Sequence, residues 1–210
     1  KSRLFLKSSS FSNCIILKNK LSLISSKISY SELKFIIKTF CIILLILPMI
    51  IHVLNKNTLI IDNFKLRCCI GKKGLNSNKK ESDHSTPKGL YNLKKLYFRK
   101  DRVGNPKCKL DKKIIKTDLA WCDDPSHKKY NEEIKTNDKN LKERLYRKDH
   151  KYDYIITINH NDKKVSGKGS AIFIHLTNDY KPTAGCIALK KKDFQILLKL
   201  IDKKTKIRIG

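Results

Sequence analysis

Acidic residues are scarce in this sequence: 19 Asp and Glu stand against 47 Lys and Arg in 210 residues, a formal net charge of +28. Such an excess ordinarily indicates an anionic partner, a nucleic acid or a membrane surface. Other scarcities argue against the first of these. The basic residues are scattered, aromatic residues are only 8% of the chain, and no zinc-finger, RNA-recognition or helix-turn-helix pattern occurs, so no nucleic-acid partner is expected. The excess is mostly lysine and accompanies abundant Ile and Asn, all residues of AT-rich codons, so base composition is an alternative source of the charge.

The seven cysteines, Cys14, Cys41, Cys68, Cys69, Cys108, Cys122 and Cys186, form no CxxC pair and no metal-ligand array. Their odd number leaves one unpaired in any case. Neither a structural zinc site nor a disulfide scaffold is expected, because a chain of this size buries a core without such staples. Cys68 and Cys69, adjacent on a strand, would point to opposite faces, one into the core and one outward.

No apolar run reaches the about 20 residues of a membrane span. The longest, Phe40 to Ile51, is interrupted at Pro48 and closes an amino-terminal extension, residues 1–48, rich in Ser, Lys and Leu. Two readings of it stay open. Lys34 and Lys38 precede the run as they would a signal-peptide core or signal anchor, giving membrane contact through residues 40–51. Alternatively Met49, the only methionine, is the natural start, the preceding residues are non-native upstream sequence, and Ile50 opens the first strand.

Residues 49–210 read as one domain of ordinary size. Ile50 to Leu54, Thr58 to Asp62, Lys65 to Ile70, Gly89 to Tyr97 and Tyr154 to Asn159 carry strand signals. The polar stretch from Arg99 to Asp149 reads as long loops with one short helix near Asn140 to Tyr146. Phe194, Leu197, Leu198 and Ile201 have helical spacing within Lys191 to Asp202, and Lys206 to Ile209 reads as a closing strand. No internal repeat is present. The fold class is mainly β, a sandwich or open barrel carrying a peripheral C-terminal helix.

Chemistry concentrates between Ile172 and Leu189. Ala171 to Ile174 reads as a buried strand delivering His175 to its end, Asn178, Asp179, Pro182 and Gly185 mark a loop, and Cys186 opens a second apolar run. Two antiparallel strand ends joined by a tight loop would bring imidazole and thiol within hydrogen-bond reach. Free cysteine has a pKa of about 8.5, and an imidazolium beside it favours the attacking thiolate. Gly185 has no side chain to block substrate, so the amides of Gly185 and Cys186 are candidate oxyanion donors. The competing reading is ordinary: a small buried thiol and a surface histidine.

Thr183, Ala184, Gly185 and Cys186, downstream of His175, resemble the Ser/Thr-His-Gly-Cys turn of the YkuD-type L,D-transpeptidases. Thr86-Pro87-Lys88-Gly89-Leu90-Tyr91 is similar to that family's Thr-Pro-x-Gly-x-aromatic hairpin, with Pro87 setting a turn. Trp121 to Pro125, Asp149 to Asp153 and His160-Asn161 resemble one branch of it. Two departures stand out. Ala184 replaces the usual second histidine, and Ala188 stands where many members carry arginine or asparagine. The His175 to Cys186 loop is also short for the family.

The resemblance implies a cell-envelope acyltransferase that cross-links peptidoglycan stem peptides through a Cys186 thioester, with His175 as base. It implies no metal and no organic cofactor, and a monomer is expected. Thr183, His160 and His84 are candidates for substrate binding. Two alternatives stay open: an L,D-carboxypeptidase using the same site, and a non-catalytic basic protein that binds peptidoglycan or nucleic acid.

Overall fold

The structure, a computed structural model, describes residues 29–46, 48–136 and 143–210. The chain divides between Pro48 and Met49, and each part is taken by itself. In the first, helix α1 spans Tyr30–Ile46. Its start is a capping box: Ser29 Oγ accepts the Glu32 N–H at 3.3 Å, and the Glu32 carboxylate accepts the Ser29 N–H at 2.9 Å. Two amides that a helix start leaves unpartnered are thereby satisfied. Pro48 cannot continue a helix. The apolar run from Phe40 to Ile51 is therefore divided between the end of α1 and the start of a strand. Among the described residues no helix is long and apolar enough to cross a membrane.

In the second part β1 (Ile50–Val53), β2 (Thr58–Ile61) and β3 (Phe64–Cys69) form an antiparallel meander. Ile51, Val53, Leu59 and Ile61 alternate with more exposed neighbours, as a half-buried strand requires. Two short strands follow, β4 (Leu75–Asn76) and β5 (Thr86–Pro87), then the long β6 (Gly89–Phe98). The middle of the chain holds a one-turn helix α2 (Lys100–Val103), β7 (Asp111–Ile114), β8 (Leu119–Trp121), β9 (Glu133–Lys135) and β10 (Glu143–Arg144). Last come β11 (Tyr154–Ile158), β12 (Phe173–Leu176), β13 (Ile187–Leu189), α3 (Lys191–Leu200) and β14 (Lys206–Ile209).

The main sheet runs β11-β12-β13-β3-β2-β1-β14-β6, and β6 pairs back onto β11. Those eight strands close into a barrel, with β7 attached to β6. One strand makes the corner: Gly89 to Asn92 pair with β14, while Leu93 to Phe98 pair with β11. The main core gathers the inward residues of these strands and the buried face of α3, Phe194, Leu197 and Leu198. Phe194 stacks on Tyr154 with ring centroids 5.4 Å apart.

The opposite face of β6, β11 and β12 is also covered. Tyr97, Ile155 and Phe173 pack there with Leu119, Leu145 and Tyr152, and Trp121 and Cys186 lie against them. Part of this cover is the small sheet β10-β8-β9, built from the polar stretch expected to be loops. The helix expected near Asn140 to Tyr146 is not found where the chain is described: Glu143 and Arg144 pair with Trp121 and Ala120. Residues 137–142 lie outside the described residues. Cys68 and Cys69 are both buried, at 1% and 5% exposure, rather than one in and one out. Ala188 pairs beside Cys69 and Thr177 hydrogen-bonds its thiol, so the second face of β3 is covered as well.

Candidate active site

β12 and β13 are parallel, with Ile174 opposite Ile187 and His175 opposite Ala188. The antiparallel ends joined by a tight loop do not occur. Residues between Leu176 and Ile187 instead carry the chain back to the starting edge of the sheet, because two parallel neighbours need such a crossover. His175 is thus inside a strand, two residues beyond the level of Cys186. Side chains alternate: Ile174, Leu176, Ile187 and Leu189 enter the main core, and Cys186 lies against Phe173 on the other face, which His175 shares. Both open into one pocket of about 190 Å³, with Lys79, His84, Glu143, Tyr152 and Thr183 among its walls.

Cys186 Sγ donates to the Ala171 carbonyl at 3.1 Å and accepts the Phe173 N–H at 3.3 Å. Among the described residues no hydrogen bond joins it to His175. Ala171 adopts a left-handed φ of 50°, a conformation costing a side-chain-bearing residue about 1 to 2 kcal/mol. Its N–H is fixed by Asn131 Oδ1 at 3.1 Å, which also accepts Trp121 Nε1–H at 3.0 Å. The strained carbonyl that holds the thiol is therefore braced from below.

His175 is buried, 7% exposed, not the surface residue a strand-end histidine usually is. Its Nδ1 lies 2.9 Å from the Leu176 carbonyl. A carbonyl only accepts, so Nδ1 carries the proton and Nε2 keeps its lone pair. Burial pulls the imidazole pKa down to about 4; the backbone bond opposes this and Lys151 and Arg147 reinforce it. Burial likewise pushes the Cys186 thiol up to about 12, with the charge of Glu143 adding to it and the Phe173 N–H and Lys79 opposing. At rest the pair is thus neutral thiol and neutral imidazole, not thiolate and imidazolium, because the enclosed pocket penalises both charges. Tyr152 packs edge-on against His175 at 5.2 Å and against Phe173 at 6.3 Å. Its hydroxyl donates to the Glu143 carboxylate.

The turn before the thiol is tied to distant chain. Thr183 Oγ1 donates to the Cys186 carbonyl at 2.6 Å and accepts the Gly185 N–H at 3.1 Å. Thr183 thereby braces the turn, and the Gly185 amide, one of the two expected oxyanion donors, is occupied. Thr86 Oγ1 donates to the Gly185 carbonyl at 2.7 Å and accepts the Gly71 N–H at 2.8 Å. The Thr-Pro-x-Gly block thus does more than turn the chain. His84 is exposed and lines the thiol pocket. His160 lines a separate groove of about 450 Å³ with Tyr97, Trp121 and Asn131, its Nε2 3.1 Å from the Lys168 carbonyl. His150 contacts Asn178 on the exposed side. Among the described residues no group of three or more His, Cys, Asp or Glu side chains is arranged to hold a metal ion.

Gly185 has φ of 154°, and a Cβ there would stand 2.9 Å from the Ser85 carbonyl oxygen and 3.3 Å from Ile172 Cδ1. Gly185→Ala is expected to lower stability by about 1 to 3 kcal/mol and to slow Cys186 alkylation at least tenfold. Thermal melts and thiol-labelling rates on the same samples check both.

The model of the YkuD family, the L,D-transpeptidase catalytic domain, matches residues 49–209. The chain belongs to the YkuD family. Its barrel and C-terminal helix are the mainly β fold which that membership implies. Among solved structures it is similar to Bd1075 of Bdellovibrio bacteriovorus, with 18% identity, 78% of this chain and 48% of that one covered, and a TM-score of 0.40. The helical cell shape determining protein Pgp2 of Campylobacter jejuni matches at 17% identity over 77% of this chain and 46% of that one, with a TM-score of 0.40. An L,D-transpeptidase from Mycobacterium smegmatis matches at 11% identity, covering 77% and 57%, with a TM-score of 0.34. The chain spans about half the length of these solved proteins. No curated protein matches it.

In this YkuD domain the motif position Ala184 contributes only a methyl group to the pocket wall. Sequence reasoning missed Asn131, Tyr152, Glu143 and Lys79. Asn131 has a positive φ of 57°, which the sequence does not announce, and Lys79 is hidden among many other lysines.

Proposed function

We propose that the protein is a cysteine-dependent L,D-transpeptidase acting on peptidoglycan stem peptides at the cell envelope. The supporting observation is that Cys186 and His175 open into one pocket while the Leu176 carbonyl holds the proton on Nδ1, leaving Nε2 free to accept. The thiol turns from Ala171 to His175, the S–H proton passes to Nε2, and sulfur attacks the carbonyl that joins an L-centre to a D-centre. The Cys186 N–H faces the oxyanion. As the tetrahedral intermediate collapses, the C–N bond breaks and the imidazolium returns its proton to the leaving amine. A thioester remains. An acceptor amine then attacks it, forming the cross-link and releasing the thiol.

Incubation with defined muropeptides, read by mass spectrometry, tests this. Cross-linked dimers with loss of one terminal D-residue per bond are the expected products. Trimmed monomers alone would make the enzyme an L,D-carboxypeptidase, in which water replaces the amine. Unchanged substrate would overturn the enzymatic reading and leave a peptidoglycan-binding protein.

A further inference from the structure

The loop between β4 and β5 carries a lysine into the thiol pocket. The Lys79 side chain is 6% exposed, and its ammonium pairs with Asp83. Lysine is almost never this buried without a partner, and here the partner is itself anchored. The Asp83 carboxylate also accepts the Lys80 N–H at 3.0 Å, the Ser85 N–H at 2.9 Å and Ser85 Oγ–H at 2.6 Å. Burial alone would raise that carboxyl, but Lys79 and these three donors hold it well below the usual carboxylate range. Two glycines clear the path of the lysine. A Cβ on Gly169 would stand 3.0 Å from Lys79 Cγ and 3.1 Å from Cε, and a Cβ on Gly185 would stand 3.5 Å from Nζ. The ammonium therefore ends beside the residue preceding the thiol. It has three protons to donate, and among the described residues Asp83 takes one.

The rest of the pocket disfavours a negative sulfur. His175 is neutral, and the charges acting on it are Lys151, Arg147 and Asp149, whereas those acting on Cys186 are Glu143 and Lys79. Glu143, bonded by the Tyr152 hydroxyl, opposes ionisation of the thiol, whereas Lys79 favours it. Glu81, His84 and Asp123 complete the titratable walls; Glu81 accepts the Tyr130 hydroxyl. Ala184 leaves a methyl where the family motif has a histidine.

We propose that Lys79, positioned by Asp83, is the fixed cation of this site, stabilising negative charge on Cys186 Sγ where Ala184 supplies no polar side chain. This role rests on Cys186 being the nucleophile. The thiol proton goes to His175 Nε2, sulfur keeps the electron pair, and Lys79 stays protonated throughout.

The test is the pH-rate profile of Cys186 alkylation by iodoacetamide on the full chain between about pH 6 and about pH 9, well below both the raised thiol and the ordinary lysine pKa of about 10.4, quantified at the Cys186 peptide so that the other cysteines do not contribute. Alkylation forms the S–C bond, expels iodide and needs no peptide substrate. Across that range Lys79→Met is expected to slow the reaction about tenfold at every pH, the equivalent of one pH unit in the thiol. Glu143→Gln should speed it, and Lys79→Arg should restore the wild-type profile. Where Lys79→Met fails to fold with Asp83 left unpaired, the double variant Lys79→Met/Asp83→Asn removes both charges and carries the same expectation. A folded variant whose profile superimposes on wild type overturns the role of Lys79 and leaves the pair purely structural. Normal profiles in all variants together with absent cross-linking by the wild-type protein would overturn the transpeptidase reading as well; a shifted profile with absent cross-linking would overturn that reading alone.

Discussion

Cys186→Ala is expected to abolish acyl transfer, a loss of about a millionfold where the covalent nucleophile of a concerted site is removed. It should also abolish covalent capture by a carbapenem, the β-lactam class that the family resemblance leads one to expect as an acylating agent. Intact-mass spectrometry gives the readout: one adduct per chain on the wild-type protein and none on the variant. Cys122→Ala is the control and should label normally. The Cys122 thiol is buried and raised first by that burial, then by Asp124 and Asp123 once its backbone bond is allowed for, so it has little thiolate to offer. A stoichiometric adduct on Cys186→Ala would move the nucleophile elsewhere.

His175→Gln is expected to slow acylation by about 100-fold to 10,000-fold, the usual range for loss of a general base. Two pH effects accompany it. Because burial lowers the wild-type imidazole to about 4, the acid limb of the wild-type acylation rate should fall near that value rather than near the ordinary histidine pKa of about 6.5. Stability follows the same depression. Between about pH 6.5 and about pH 4 the unfolded chain takes up a proton that the folded site refuses, so stability declines as pH falls through that window and levels off below it. The Gln variant should lack this contribution, which thermal melts across the window would reveal. Unchanged acylation at neutral pH would end the dyad and turn attention to His84, which lines the same pocket.

Most strands of the barrel could be located from the apolar pattern. β1, β2, β3, β11 and β14 lie within a residue of where that pattern puts them: β1, β2 and β14 alternate because one face is in the core, whereas β11, buried on both faces, is bounded by the polar Asp153 and Asn159. β12 was displaced because both of its faces are buried: the run Phe173 to Leu176 is covered on the main-core side and on the pocket side, and a run without alternation carries no register. The direction of β13 was illegible for a different reason. Turn residues such as Pro182 and Gly185 show that the chain reverses, not whether it returns beside its starting edge. The small sheet over the pocket escaped notice because its strands are two or three residues long and rich in Glu, Lys and Arg. Of the site, Cys186, His175 and Thr183 stood out by spacing and motif. Lys79 and Glu143 could not, since what distinguishes them is burial, and burial of a charged residue is decided by partners far along the chain.

One pairing of the barrel also constrains how the protein can be made. The first strand of the domain lies parallel to the last, with Ile50 opposite Lys206 and Val53 opposite Ile209, and β14 in turn supports the first half of β6. During synthesis the chain therefore cannot close its barrel until residues 206–209 have left the ribosome. Until then β1 and the start of β6 are unpaired on the sides that β14 will occupy. Sheet topologies closed by such distant contacts fold slowly and expose strand edges meanwhile. The turn before Cys186 shares this lateness, since the Thr86 bond to Gly185 spans 99 residues. A nascent chain long enough to contain the thiol but not β14 is thus expected to hold an open barrel, with the edges of β1 and β6 that face β14 still unpaired.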